Sequence, residues 1–231
     1  MRLALNGSPR GSQSNSRKIL SWILDGMREA GAESPPVLDI AQTKQLDSQR
    51  NAFLEADEVL LVFPLYTDSV PGVVKGFLDS LAGVDPARLS GKRFCFVVHS
   101  GFTESVQSEP VSAYLARLCS RLGMILVGAA IKGGSEGLKM MPDSMTRKTR
   151  DRFTAIGRGL VRDGEFDPEA VRKLAQPRRI NLVGRILLTL LAPTNLQNSY
   201  WNMQLKKHGA WDRRFDRPYA KETTTSPSPS P

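Results

Sequence analysis

Short apolar runs, unbroken over 3–5, 59–63 and 94–98, recur along the first two-thirds of this chain in segments of about 2–6, 57–63, 93–99 and 124–131, with a weaker one at 36–40. A strand with one face in water alternates apolar and polar residues. An unbroken run belongs instead to a strand covered on both faces, as in a parallel sheet. Between the runs the apolar period becomes helical. Ile19, Leu20, Ile23, Leu24 and Met27 form one stripe, with Ser14 or Ser16 placed to cap its start and Gly31 to close it. Val73, Val74, Phe77, Leu78 and Leu81 form a second, with Pro71 in its first turn and Gly83 at its end. Val111, Leu115, Leu118 and Leu122 form a third between Pro110 and Gly123, and Phe153, Ile156 and Leu160 a fourth within 145–162. Strands alternating with helices in this way predict a five-stranded, doubly wound parallel α/β sheet with right-handed crossovers.

Composition removes several classes of function. The chain of 231 residues has no run of 18 apolar residues, and Met1-Arg2 leads straight into a strand, so neither a spanning helix nor a signal peptide is expected. Cys95 and Cys119 lie far apart and form no CxxC pair, which excludes a cysteine-ligated zinc or iron–sulfur centre within one chain. Both read as packing residues of a reducing compartment, hence a cytoplasmic protein. With His99 and His208 the sole histidines, no metal site is expected. The net charge of +9 favours anionic ligands but does not choose among them, and no reading helix or aromatic platform for nucleic acid is evident.

Two loops carry the chemistry. The first, Asn6-Gly7-Ser8-Pro9-Arg10 with Ser14-Asn15-Ser16, joins the first strand to a helix. Small residues allow close backbone approach, hydroxyls and amides add donors, and a helix start offers free N–H groups: the needs of a phosphate. It ends in no Gly-Lys-Ser/Thr and contains no GxGxxG, so it is neither a Walker loop nor a dinucleotide fingerprint. An ordinary capped turn uses the same residue types. The second loop, Pro64-Leu65-Tyr66-Thr67, ends the buried third strand. With strand order 2-1-3-4-5, strands 1 and 3 flank the point where the order reverses, and ligands bind there beyond the strands' carboxyl ends. Pro64 to Thr67 then offer backbone donors and an aromatic face to a flat ring. His99, Ser100, Gly101 and Phe102 form a third wall. Tyr66 also suits plain packing, His99 suits local hydrogen bonding better than proton transfer, and Lys75 with Asp79 reads as a surface pair.

These segments, with Pro71-Gly72-x-x-Lys75-Gly76-Phe77-Leu78-Asp79, resemble the NAD(P)H-dependent FMN reductases and their iron–sulfur flavoprotein relatives over residues 1 to about 163. The cluster cysteines of the latter are missing. The resemblance implies a flavodoxin-like fold, FMN as cofactor and NAD(P)H as co-substrate. It assigns the phosphate to Ser8, Arg10, Ser14, Asn15 and Ser16, and the ring to Pro64, Leu65, Tyr66 and Thr67; Ser100, Gly101 and Phe102 stand as the third wall read from the sheet order. Gly133-Gly134-Ser135-Glu136-Gly137-Leu138 is similar to the glycine-rich loop after the fifth strand of such reductases. The cofactor performs the redox chemistry, so no catalytic side chain is expected, and the acceptor is quinone-like or another small molecule. A non-catalytic flavin-binding electron carrier or regulator is the alternative. A hydrolase is a distant third: Gly133 to Gly137 fits GxSxG formally, but Pro142 follows soon and His208 is the sole later histidine.

Beyond 163 the character changes. Residues 164–222 are expected to form a helical extension: an apolar helix over 180–191 interrupted by Arg185 and limited by Pro193, then a second over about 196–208 with Tyr200, Trp201, Met203 and Leu205. The Thr/Ser/Pro tail from 223 to 231 is expected to be disordered. The extension suits a lid, a homodimer interface, or a membrane surface beside basic residues, with lid or dimer packing the simpler reading.

Overall fold

The computed structural model describes residues 1–191, 198–217 and 219. The strands β1 (Arg2–Asn6), β2 (Val37–Asp39), β3 (Glu58–Pro64), β4 (Arg93–His99) and β5 (Ile125–Lys132) form one parallel sheet in the order β2-β1-β3-β4-β5. Helices α1 (Asn15–Glu29), α2 (Leu46–Glu55), α3 (Gly72–Asp79), α4 (Glu109–Arg121), α5 (Asp143–Arg162) and α6 (Pro168–Leu174) follow in sequence. The doubly wound sheet is thus the one expected, and every residue of β3 is buried.

Successive side chains of a strand point to opposite faces, so an unbroken apolar run supplies two cores. Leu3, Leu5, Val59, Leu61 and Phe63 join Phe53 of α2, Val74 and Phe77 of α3, and Val111 and Leu115 of α4 on one face. Ala4, Leu60, Val62, Cys95 and Val97 join Ile19 and Ile23 of α1, Phe153 and Ile156 of α5, and Leu174 of α6 on the other. Both cysteines pack as expected, and burial raises both thiols, Cys119 to about 12, so neither is a thiolate at neutral pH. The Lys75–Asp79 ion pair is exposed, as read from its spacing.

Two helices escape the periodicity. The apolar stripe of α2 is weak because a polar residue, Gln49, occupies a buried position; its Nε2 donates to the carbonyls of Asp39 and Gln42 at 3.1 and 3.2 Å. Helix α6 lies past the boundary expected at 163. The first compact unit runs Met1–Arg179, since Phe166, Ala170 and Leu174 close the core beneath α5. The second unit, Ile180–Pro231, contains α7 (Leu182–Leu191) and α8 (Ser199–Lys207). Pro193 and the tail from 223 lie outside the described residues.

Glycine brings α1 and α5 to backbone contact. A Cβ at Gly26 would sit 1.9 Å from the Thr154 carbonyl oxygen, and one at Gly157 1.9 Å from that of Ile23. On an exposed helix, Gly→Ala stabilises by about 1 kcal/mol. Here the sign reverses: Gly157→Ala is expected to cost about 1–3 kcal/mol through overpacking, read as a lower thermal midpoint of the purified protein.

Candidate functional site

Chain reversal opens the cleft. β1 lies between β2 and β3, and its outgoing helix α1 packs on one face while α2 and α3 pack on the other. Loops leaving β1 and β3 therefore diverge at their carboxyl ends, and the gap between them lies where open sheets of this order bind their ligands.

The loop after β1 is organised by Asn6, a residue not singled out from the sequence as a site residue. It is fully buried at the strand's end. Its Nδ2 donates to the Gly11 carbonyl and to Asp39 Oδ1, each at 2.7 Å, and its Oδ1 accepts from the Ser8 amide at 3.2 Å. Gly11 holds the left-handed turn at φ +54°. A Cβ at Gly7 would lie 2.6 Å from Val74 Cγ2, so the loop is pressed onto α3. Ser14 caps α1: its Oγ accepts from the Arg17 amide at 3.2 Å and donates to the Gly11 carbonyl at 2.7 Å.

Ser8, Arg10, Ser14 and Asn15 line one side of the cleft, Pro64, Leu65 and Tyr66 another, and His99, Ser100 and Gly101 a third, as expected. Ser135 and Glu136 complete it. The sequence marked their glycine-rich loop but did not place these two in the site.

The side chains of these residues divide into those already engaged and those left over. Asn15 is engaged. Its Nδ2 donates to the carbonyls of Ser135 and Glu136 at 2.8 and 2.9 Å, and its Oδ1 accepts from the Lys139 amide at 2.9 Å. It is therefore a clamp between α1 and the 135–139 loop. Ser16 is buried and turned inward, 2.7 Å from His99 Nε2. Neither hydroxyl nor carboxamide of this pair is open to a phosphate; what both still offer is a backbone N–H in the first turn of α1, where the helix itself supplies no acceptor. Ser8 Oγ only accepts, from the Arg10 amide at 3.3 Å, which leaves its proton without an acceptor among the described residues. The Arg10 guanidinium forms no ion pair among the described residues.

On the ring side, Pro64 has no N–H. The Leu65 amide donates to the His99 carbonyl at 2.7 Å and the Tyr66 amide to that of Ser69 at 3.1 Å. Expected donors at these positions are thus already engaged. The Thr67 and Gly101 amides have no acceptor among the described residues. Thr67 and Asp68 form the tip of a tight hairpin between Tyr66 and Ser69, with φ of 49° and 60°. Left-handed backbone at a β-branched residue is strained, and such strain collects where ligands are held. Thr67 and Phe102 do not line the cleft, and Phe102 is 53% exposed. Glu136 stands over the turn, its Oε2 3.4 Å from where a Cβ on Gly101 would be.

Beneath the cleft runs a directed hydrogen-bond chain. Ser135 Oγ donates to the Ser100 carbonyl at 2.9 Å, so at 2.8 Å it accepts from His99 Nδ1. That assignment leaves Nε2 as acceptor for the Ser16 hydroxyl. Burial, and secondarily the charge of Lys132, lowers the His99 pKa to about 3. The ring is neutral and both nitrogens are engaged. This also removes the hydrolase reading. Structure does bring a histidine to Ser135, from upstream rather than downstream, but the imidazole donates to that hydroxyl instead of accepting its proton, and Ser135 is 1% exposed.

A histidine kept neutral by burial takes up a proton in the unfolded chain first. Below the ordinary value of 6.5 the unfolded state binds more protons, so stability is complete above that pH and falls as pH drops toward 3. This group alone is expected to contribute a slope of about 1.4 kcal/mol per pH unit in that window. Denaturant titrations of wild type and His99→Gln between these limits check it: the difference between the two should widen at neutral pH and close on acidification.

A family model described as flavodoxin-like fold matches residues 2–143. No curated protein sequence matches the chain. Among solved structures, NAD(P)H:quinone oxidoreductase from Methanothermobacter marburgensis is similar at 19% identity, over 69% of this chain and 96% of its own, with a TM-score of 0.55. An FMN-dependent NADH-azoreductase from Bacillus anthracis is similar at 13% identity, over 69% and 99%, with a TM-score of 0.54. A flavone reductase is similar at 15% identity, over 96% and 100%, with a TM-score of 0.57. At these identities the likenesses establish the fold. Sheet order, the cleft at the strand reversal and the match over most of the first unit agree, and the chain belongs to the family of the flavodoxin-like fold.

Proposed function

We propose that this chain is an FMN-dependent oxidoreductase that takes reducing equivalents from NADH or NADPH and passes them to a quinone-like or other small acceptor. One observation carries the reading. At the strand reversal, an arginine and a buried serine proton that have no acceptor among the described residues lie with the first amides of α1 on one wall of the cleft. That donor set suits a phosphate monoester dianion, which gives up its water only to several convergent donors. Opposite lie Pro64, Leu65 and Tyr66, an apolar and aromatic edge suited to a flat ring.

FMN, when bound, supplies the redox chemistry. Ser8 and Arg10 would hold its phosphate with the backbone of Asn15 and Ser16, and the hydroxyl of Ser14 stays with its helix cap. Tyr66 would lie along the ring, and the Gly101 amide, without an acceptor among the described residues, would serve its polar edge. The neutral His99 chain fixes the Ser100 turn against the 133–138 loop without adding a charge beneath the ring. With the cofactor carrying the redox chemistry, the protein's part is binding, orientation and exclusion of water. Described enzymes of this fold, a quinone oxidoreductase and an azoreductase among them, support the reductase reading.

Purified protein reconstituted with FMN is expected to be yellow, to bleach anaerobically with NADH or NADPH, and to regain colour with a quinone. A bound flavin inert to both nicotinamides would favour an electron carrier. Removing the Arg10 charge-assisted contact is expected to weaken FMN binding about 10- to 100-fold in Arg10→Ala, measured by fluorescence titration.

A further inference from the structure

The second unit carries an exposed apolar helix face and, further along the chain, a basic, aromatic stretch. Leu182, Val183, Ile186, Leu187 and Leu190 recur on one side of α7 and are all exposed, Val183 by 73%. Arg185 and Thr189 lie together on another side, the Thr189 hydroxyl donating to the Arg185 carbonyl at 3.0 Å. Such a stripe in water has a cost that an unaccompanied surface leaves unbalanced. After α7 the composition changes to cations interleaved with aromatic rings. Lys206 stands 5.0 Å from the Trp211 ring centroid, and Arg214 lies 4.1 Å over Trp211 and 4.7 Å over Phe215. Trp201, Phe215 and Tyr219 are exposed.

We infer that this unit docks on an anionic phospholipid surface, α7 sinking its aliphatic face among the acyl chains while the cations and rings from α8 onward stay at headgroup depth. Charge chooses between this and a second copy. Residues 180–231 contain seven basic and three acidic side chains, so pairing two such units would oppose like charge, whereas an anionic bilayer complements it. Tryptophan, tyrosine, lysine and arginine are the residues that settle at a membrane–water boundary. Among the described residues no helix is long and apolar enough to cross a membrane, and a helix with one apolar and one polar side suits lying in the interface.

The test is flotation of the full-length protein with phosphatidylcholine vesicles and with vesicles doped with phosphatidylglycerol. Binding is expected only to the doped vesicles and is expected to fall about ten-fold on raising salt from low to physiological strength. Ile186→Asp with Leu190→Asp should abolish it, and Lys206→Glu with Lys207→Glu should reduce it about ten-fold. Both variants should keep the thermal transition and flavin binding of the wild type, which separates this inference from the flavin reading. Equal binding to neutral vesicles, no binding to either, or no effect of both variants would overturn it. So would loss of self-association in the aspartate variant without any vesicle binding, which would assign the face to a second copy.

Discussion

A parallel sheet whose order reverses beside its first strand is the constraint from which the rest follows. β1 is flanked by β2 and β3, and right-handed crossovers then send α1 to one face and α2 to the other. No loop can bridge that divergence, so the carboxyl end of the sheet is open at one place. To that place the chain brings the small and polar residues of the β1 loop together with the apolar and aromatic edge of Pro64, Leu65 and Tyr66. The buried carboxamide of Asn6 converts strand into loop by capturing the Gly11 carbonyl, the Ser8 amide and Asp39 at once.

The cleft is rigid because its walls are joined below by neutral groups. Asn15 ties α1 to the 135–139 loop, and the series Ser16, His99, Ser135 and the Ser100 carbonyl ties α1 through β4 to the same loop. Each hydroxyl and ring nitrogen in the series has a consistent donor or acceptor role, which makes a buried polar network stabilising rather than costly. A charged imidazole there would oppose Lys132 and lose its acceptor. The arrangement holds three loops in register and leaves Arg10, the Ser8 proton and a few amides without acceptors among the described residues.

Much of this was legible in the sequence. Apolar runs within 57–63 and 93–99 pointed to doubly covered strands, and the Ser/Asn/Gly content after the first strand located the loop. What the sequence could not show was which donors were already engaged. Asn15 and Ser16 look the same on paper as Ser8, yet their side chains serve the 135–139 loop and His99, partners more than eighty residues away. Leu65 and Tyr66 similarly lose their amides to the His99 and Ser69 carbonyls. Ser135 was missed because its partners, His99 and the Ser100 carbonyl, come from a different strand end, and Asn6 because an asparagine at a strand's end does not by itself show which loop groups it will capture. Helix α2 escaped because Gln49 interrupts its stripe, and α6 because its buried side is supplied by only two residues, Ala170 and Leu174.

The central claim is that the β1 loop is a phosphate site serving a flat ring, and comparing FMN with riboflavin tests it most directly. The two share the ring and differ by the phosphate. Calorimetric titration of the apoprotein should show FMN binding at least about 100-fold more tightly than riboflavin, the worth of two charge-assisted hydrogen bonds. Equal affinity for the two, or no binding of either, would contradict the account.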